Sequence, residues 1–223
     1  MKKIITLLVA MLFCSTAYAV EYAGATANGT ITVQDKYLDY QHGVYSQEHT
    51  GLAELTIGYE VNHFLIQLNG SARGEWIDAD KSFDMKEYGG GLEVGGTFGG
   101  FDLTVGDRYL VFIDGDNVNE VYVSADGKWA YGGFGVTAYY NTEDFSDFNN
   151  ALWVDAEVTA SYFLDLTVGA SYHDGDMARY FGEVSKGFGE GLVLTPFVRY
   201  ETNKPSLDAS NIDYTTVGLR ASF

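Results

Sequence analysis

The last seven residues, Val217 to Phe223, read VGLRASF. On an extended chain Val217, Leu219, Ala221 and Phe223 fall on one side, and Gly218, Arg220 and Ser222 on the other. Side chains that change face at every residue belong to a β-strand with one apolar face. The alternation is still intact at Phe223, a large aromatic with no polar tail after it. A partner strand is needed beside this stretch, and the rest of the sequence indicates where it comes from.

Moving back from Phe223, the period of two recurs along the chain. Stretches of about ten residues alternate apolar and polar side chains between turn formers, with no i, i+3, i+4 stripe of a helix. Twelve segments stand out, near 22–34, 49–60, 63–76, 86–97, 101–113, 117–126, 128–141, 151–162, 164–174, 177–188, 191–203 and 211–223. Composition agrees with strands, since the chain holds 17 Tyr and 14 Phe against 2 Pro.

The connections alternate as well. Val61-Asn62, Phe98-Gly99-Gly100, Asp126-Gly127-Lys128, Phe163 and Gly189-Glu190 are short. The others are mostly longer and acidic: Asp35 to Glu48, Ile77 to Met85, Asp114-Gly115-Asp116, Asn141 to Asn150, the region of Asp174-Gly175-Asp176, and Lys204 to Asn211. Nothing marks a linker or a domain boundary. The expected fold is all-β, one up-and-down antiparallel meander. Short turns at one end and longer loops at the other are the asymmetry of a transmembrane β-barrel. Its expected size is about 12 strands, with 8–10 as the alternative count.

At the amino end, Lys2 and Lys3 precede the apolar stretch Ile4 to Phe13, and Ala17-Tyr18-Ala19 supplies a small-residue cleavage site. This predicts a secretory signal peptide over 1–19 and a barrel over 20–223. Cys14 lies in that leader, with Phe13 too bulky before it for a lipidation site. The exported chain then has no cysteine and no disulfide. The formal charge is −18, and −20 once Lys2 and Lys3 leave with the leader. So acidic a chain is no partner for nucleic acid, whose phosphates need Lys and Arg.

Period alone does not say which face is apolar and outward. Charges point to a polar interior. In 151–162, Leu152, Val154, Ala156, Val158, Ala160 and Tyr162 oppose Trp153, Asp155, Glu157, Thr159 and Ser161. In 164–174, Leu164, Leu166, Val168, Ala170 and Tyr172 oppose Asp165, Thr167, Gly169, Ser171 and His173. Arg73, Arg108, Arg179, Arg199 and Arg220 all take the polar parity, whereas lysines fall in loops, turns or strand ends. Guanidinium forks suit a confined lumen rich in carboxylates. Aromatics near the strand ends, among them Tyr59, Phe64, Phe98, Phe101, Tyr140, Tyr162, Tyr172, Phe188, Tyr200 and Phe223, match the girdles of a membrane barrel.

The terminal strand resembles the C-terminal assembly signal of bacterial outer-membrane β-barrel proteins. Val217, Leu219, Ala221 and Phe223 carry the resemblance, with Tyr214 upstream. The wider chain resembles a small porin-type barrel in segments such as 88–94 and 101–108. The resemblance implies export to the bacterial outer membrane and recognition by the barrel assembly machinery. It also implies contact with membrane lipids and lipopolysaccharide, no cofactor, and a monomer or trimer. Closure gives a physical reason for the terminal strand, because its amides must pair with the first strand or stay unsatisfied in hydrocarbon. Two residues resist the scheme: Asp107 takes the lipid-facing parity, and Pro196 interrupts a strand.

Parity places eleven acids inside: Glu54, Glu75, Glu87, Glu93, Asp102, Glu120, Asp155, Glu157, Asp165, Glu183 and Glu201. Against the five arginines they leave a surplus of six negative charges. A barrel wider than eight strands can hold a channel, and an acidic low-dielectric wall enriches cations. The leading expectation is passive diffusion of small hydrophilic solutes with a preference for cations. Inward glycines such as Gly58, Gly89, Gly91, Gly95, Gly106, Gly133, Gly135, Gly169 and Gly218 add little bulk, which is expected to leave room for water. Tyr122, Tyr139, Trp153, Phe181 and Phe197 supply faces on which sugars stack. The 35–48 loop is the best candidate for an inward-folded constriction.

A second expectation is a closed barrel that displays loops, with Asp78, Asp80, Asp84, Asp114 and Asp116 sharing divalent ions with lipopolysaccharide. The 114–117 stretch DGDN lacks the spacing of a full calcium loop, and no metal site is expected. A third is an outer-membrane hydrolase using His173 with Ser171 and Asp174. No G-x-S-x-G or HExxH occurs, His42, His49 and His63 form no motif, and no catalytic residue is assigned. The sequence reads as a non-enzyme.

Overall fold

The computed structural model describes residues 25–39, 44–46, 49–61, 64–77, 82–113, 117–142, 152–173, 176–203 and 212–223. The expected leader, residues 40–43 and 47–48 of the 35–48 loop and the 143–150 loop lie outside the described residues. Fourteen strands follow in order: β1 Ala25–Gln34, β2 Tyr37–Asp39, β3 Val44–Ser46, β4 His49–Val61, β5 Phe64–Ile77, β6 Ser82–Phe98, β7 Phe101–Phe112, β8 Val118–Trp129, β9 Gly132–Asn141, β10 Leu152–Ser161, β11 Asp165–His173, β12 Asp176–Ser185, β13 Val193–Asn203 and β14 Ile212–Ser222. β1 and β4 to β14 close a 12-stranded barrel, and β2 and β3 form a separate two-stranded ribbon. Each barrel strand from β4 onward pairs antiparallel with its successor, and β1 pairs with both β4 and β14.

Local sequence explains the hairpin ends. Gly99 and Gly100 have φ of 61° and 90°, the left-handed pair that matches strand twist in a two-residue turn. The turn expected at 126–128 is displaced. β8 runs on to Trp129, and the chain reverses at Ala130-Tyr131. Asp and Gly are turn formers, but tertiary pairing wins here. Asp126 pairs with Gly135, and Gly127 pairs with Phe134, whose ring lies 2.3 Å from where a Cβ on Gly127 would stand. β6 likewise starts earlier than the alternation indicated, because a register shift at Arg73/Gly74 breaks the period near its start.

The faces are inverted relative to a water-soluble sheet. Val105, Val168 and Leu68 point outward and are 60% exposed or more. Arg73, Glu120 and Glu201 point inward and are buried to 2%. One end of the outer wall carries an aromatic girdle of Phe64, Phe98, Phe101, Phe134 and Trp129, with centroids 6.0–6.5 Å apart in the Phe64–Phe98, Phe101–Phe134 and Phe134–Trp129 pairs. Tyr88, Tyr109, Tyr140, Tyr172, Tyr180 and Tyr200 stand exposed toward the other end. In water this apolar belt would drive aggregation. In a bilayer it is matched by hydrocarbon.

The two misfits resolve differently. Pro196 accepts from the Lys186 amide at 3.4 Å, beyond the last β12–β13 pair at Ser185 and Phe197. Its missing N–H points to the β12 side, where the regular ladder has already ended. Asp107 is not rescued by a bulge. β7 pairs without a register shift on both sides, so Asp107 faces outward and is exposed. An ionised carboxylate on that wall costs about 1–3 kcal/mol, depending on depth.

The opening stretch closes the cylinder. Phe223 and Gly29 exchange backbone hydrogen bonds, at 3.0 Å from Phe223 and 2.9 Å from Gly29. The Phe223 ring occupies the space of a Gly29 side chain, 2.2 Å from the position of a Cβ. Higher on the seam, the Asp35 amide donates to the Val217 carbonyl at 3.1 Å, and the Asp35 carboxylate accepts from the Val217 amide at 2.8 Å.

Candidate functional site

The register places the sixteen charged residues singled out from the sequence on the inward face, on ten of the twelve barrel strands. What parity cannot give is the pairing. Arg73 donates from Nη1 to Glu75 at 2.9 Å and from Nε to Glu87 at 3.1 Å. Arg108 pairs with Glu120 at 2.5 Å, and Arg179 with Glu201 at 2.5 Å. Glu183 accepts from Arg199 at 2.7 Å and from Arg220 at 3.5 Å. Each of the five arginines therefore holds a glutamate.

The remaining acids are a different population. Glu93 accepts from the Asn69 side-chain amide, and Asp102 from the Thr97 hydroxyl at 2.6 Å. Asp155 lies opposite Thr137 and Ser171, Glu157 opposite Gly135 and Gly169, and Asp165 opposite Ser161 and Ser185. Glu54, Asp102 and Glu157 are exposed although they face inward. Among the described residues, Glu54, Glu93, Asp102, Glu157 and Asp165 make no ion pair.

Among the described residues, two interior cavities stand out. One, of about 260 Å³, is bordered by Glu54, Asn69, Glu93, Arg108, Tyr122 and Tyr139. The other, of about 210 Å³, is bordered by Glu54, Arg179, Phe197, Arg199, Tyr214 and Arg220. Glu54 borders both. Toward the long-loop end the interior is packed: Leu110, Phe112 and Val118 form an apolar cluster, with Thr50 and Ser171 also buried.

The inward glycines do not simply leave space. Tyr122 fills the floor at Gly106, Phe181 at Gly169 and Phe197 at Gly218, each ring 2.2–2.5 Å from where a Cβ would be. The rings in turn seat the cations. Arg179 and Arg199 each lie 4.6 Å from the Phe181 centroid, and Arg220 lies 4.9 Å from that of Phe197. Arg108 is 5.0 Å from the Tyr139 ring. Phe181 is engaged by two guanidinium groups and by the Gly169 backbone, and Trp153 and Phe197 are buried, which removes three of the five expected sugar-stacking faces.

Sequence reasoning missed Asp126 and Lys128, which face inward because β8 is longer than expected. The signal was available in Trp129, which continues the outward parity of Val123 and Ala125. Of the residues weighed for hydrolysis, Ser171 is buried inside the barrel at 1% exposure. His49 is exposed at the start of β4. The side chain of His173, with His42, His63 and Asp174, lies outside the described residues.

A closed antiparallel cylinder, apolar and girdled outside and charged within, is a transmembrane β-barrel of the bacterial outer-membrane type. No protein-family model matches the chain, and no curated protein sequence matches it. Solved structures share the fold. The KdgM porin superposes with a TM-score of 0.56 at 8% identity, over 88% of this chain and 98% of that one. The outer membrane phospholipase A of Escherichia coli superposes with a TM-score of 0.61 at 12% identity, over 87% and 89%. The Salmonella typhi phospholipase gives 0.58 at 12% identity over the same shares.

Proposed function

We propose that the barrel is a narrow diffusion channel for small hydrophilic solutes, with a preference for cations. One observation carries the reading. Glu54, Asp102 and Glu157 are exposed inside the cylinder without an ion pair, whereas each arginine there is tied to a glutamate. Unpaired carboxylates in a low-dielectric wall attract cations and repel anions. The shared fold with a porin supports the reading. The outer membrane places the long loops among lipopolysaccharide, and the β14 end at Phe223 is the feature the assembly machinery would engage.

Conductance in a planar bilayer tests it. Discrete steps are expected, with a reversal potential on the cation side under a salt gradient. Glu54→Gln combined with Glu157→Gln should move that potential toward zero. Anion-selective steps would refute the proposal.

The buried Thr50, Val118 and Ser171 at the long-loop end favour a second reading, a closed barrel that displays its loops. Silence at every voltage, from protein shown to be folded and inserted, would select it.

A further inference from the structure

Asp107 has no role in the lumen. It lies on the outer wall of β7 between Val105 and Tyr109, with Leu92 and Val121 opposite it on the neighbouring strands. Among the described residues, charged groups of the same parity such as Asp35, Lys186 and Asp213 sit near or beyond strand ends. Asp107 makes no hydrogen bond or ion pair with any described residue. Beside it the wall is hollow. Gly70 and Gly90 pair across β5 and β6, and Gly90 pairs with Tyr109. A Cβ at Gly70 would meet only a backbone oxygen at 3.8 Å, and one at Gly90 only backbone atoms from 3.0 Å.

We propose that this face packs against a second copy of the chain, side by side in the membrane. Both copies insert with the same orientation, so a two-fold axis runs along the membrane normal and brings like heights together. The patch is self-complementary on such an axis. It presents an acceptor in Asp107, a donor in the half-exposed phenol of Tyr109, and a recess over Gly70 and Gly90. Each carboxylate can then accept from the partner's phenol while the tyrosine ring enters the partner's recess. Lipid chains can fill the recess, but they offer a carboxylate no hydrogen bond. Small outward residues also let two walls approach closely, as at other interfaces within bilayers. This inference does not depend on the channel reading, since it concerns only the outer wall.

Cys14 is the one cysteine of the sequence and precedes the barrel, which makes disulfide trapping clean. Copies carrying Gly70→Cys and Tyr109→Cys, produced together and oxidised in the membrane, are expected to cross-link at twice the monomer mass. Val184→Cys on β12, across the cylinder, should not. In detergent, sedimentation should show a dimer whose dissociation constant rises about tenfold or more in Tyr109→Phe and in Gly70→Leu. Both variants should leave the barrel folded, the first because it removes one hydroxyl and the second because its side chain enters open space. A monomer at all concentrations, a trimer, or equal cross-linking through position 184 would overturn the proposal. So would Asp107→Leu that remains dimeric, or that is monomeric like the parent and only gains resistance to urea.

Discussion

Replacing Arg73 by methionine tests whether ion pairs hold the interior together. Arg73 is 2% exposed and serves two glutamates, at 2.9 and 3.1 Å. Methionine keeps the apolar stem but removes the charge and the donors. Glu75 and Glu87, whose side chains are only 13% and 9% exposed, are then left near each other without this counter-ion. Removing one partner of a buried pair costs about 3–5 kcal/mol. Two orphaned acids put Arg73→Met in the upper part of that range. Glu87→Gln alone leaves Arg73 paired with Glu75 and exchanges a charged hydrogen bond for a neutral one, a loss of about 1–2 kcal/mol. The double variant removes the repulsion between the acids. Its loss should therefore be about 1–3 kcal/mol smaller than the sum of the single losses. Urea unfolding in lipid vesicles, followed by tryptophan fluorescence, measures all four proteins, and the buried Trp153 reports from inside. A folded Arg73→Met barrel within about 0.5 kcal/mol of the parent would refute the reasoning. Lumen water would then be solvating these carboxylates.

Four further outcomes follow from the same geometry. Gly169→Leu drives a side chain into the Phe181 ring and unseats two guanidinium groups, so urea unfolding should show a loss of about 1–3 kcal/mol. Gly182→Ala, with nothing within 4 Å of the added methyl, should lie within about 1 kcal/mol of the parent, on the stabilising side. Phe223→Ala bares the Gly29 floor while keeping the backbone pair, and hydrogen exchange should speed at Gly29 before it speeds at Asp35. Raising salt from about 0.1 to 1 M shortens the screening length from about 10 to 3 Å. Cation selectivity should fall steeply over that range, while the unfolding midpoint, set by buried pairs, moves little.

Much of the barrel is legible in the sequence because its two determinants are local. Alternation fixes which side chains share a face, and turn formers fix where strands end. Where turn chemistry and pairing disagree, pairing decides: Asp126-Gly127-Lys128 has turn residues, yet Phe134 holds Gly127 in the sheet. The ion pairs are not legible, because they depend on stagger between strands. Glu183 reaches Arg220, 37 residues away on a strand that is not its neighbour. The glycine sites are an intermediate case. Gly106 and Tyr122 are equidistant from residue 114, and Gly169 and Phe181 from residue 175. Once a hairpin is centred, a glycine mirrored by an aromatic predicts a ring on that glycine, so the room read for water was already assigned to side chains.

That reassignment changes the physical meaning of the lumen charge. A net negative count treats every acid alike, but pairing sorts them by wall. β12 to β14 hold Arg179, Arg199 and Arg220 against Glu183 and Glu201, with the guanidinium groups pinned by aromatic rings. β6 to β11 hold Glu93, Asp102, Asp126, Glu157 and Asp165, none of which makes an ion pair among the described residues. The fixed charge is therefore uneven around the circumference, and a solute inside meets a field across its path as well as along it. Glu54, on β4 and bordering both cavities, stands where the two regimes meet. Neutralising it should alter selectivity more than neutralising Glu183. Loss of Glu183 frees two cations on a wall already positive, so that variant should shift the reversal potential toward anions and destabilise the barrel together. Glu54→Gln should change the potential alone, because no ion pair is lost with it.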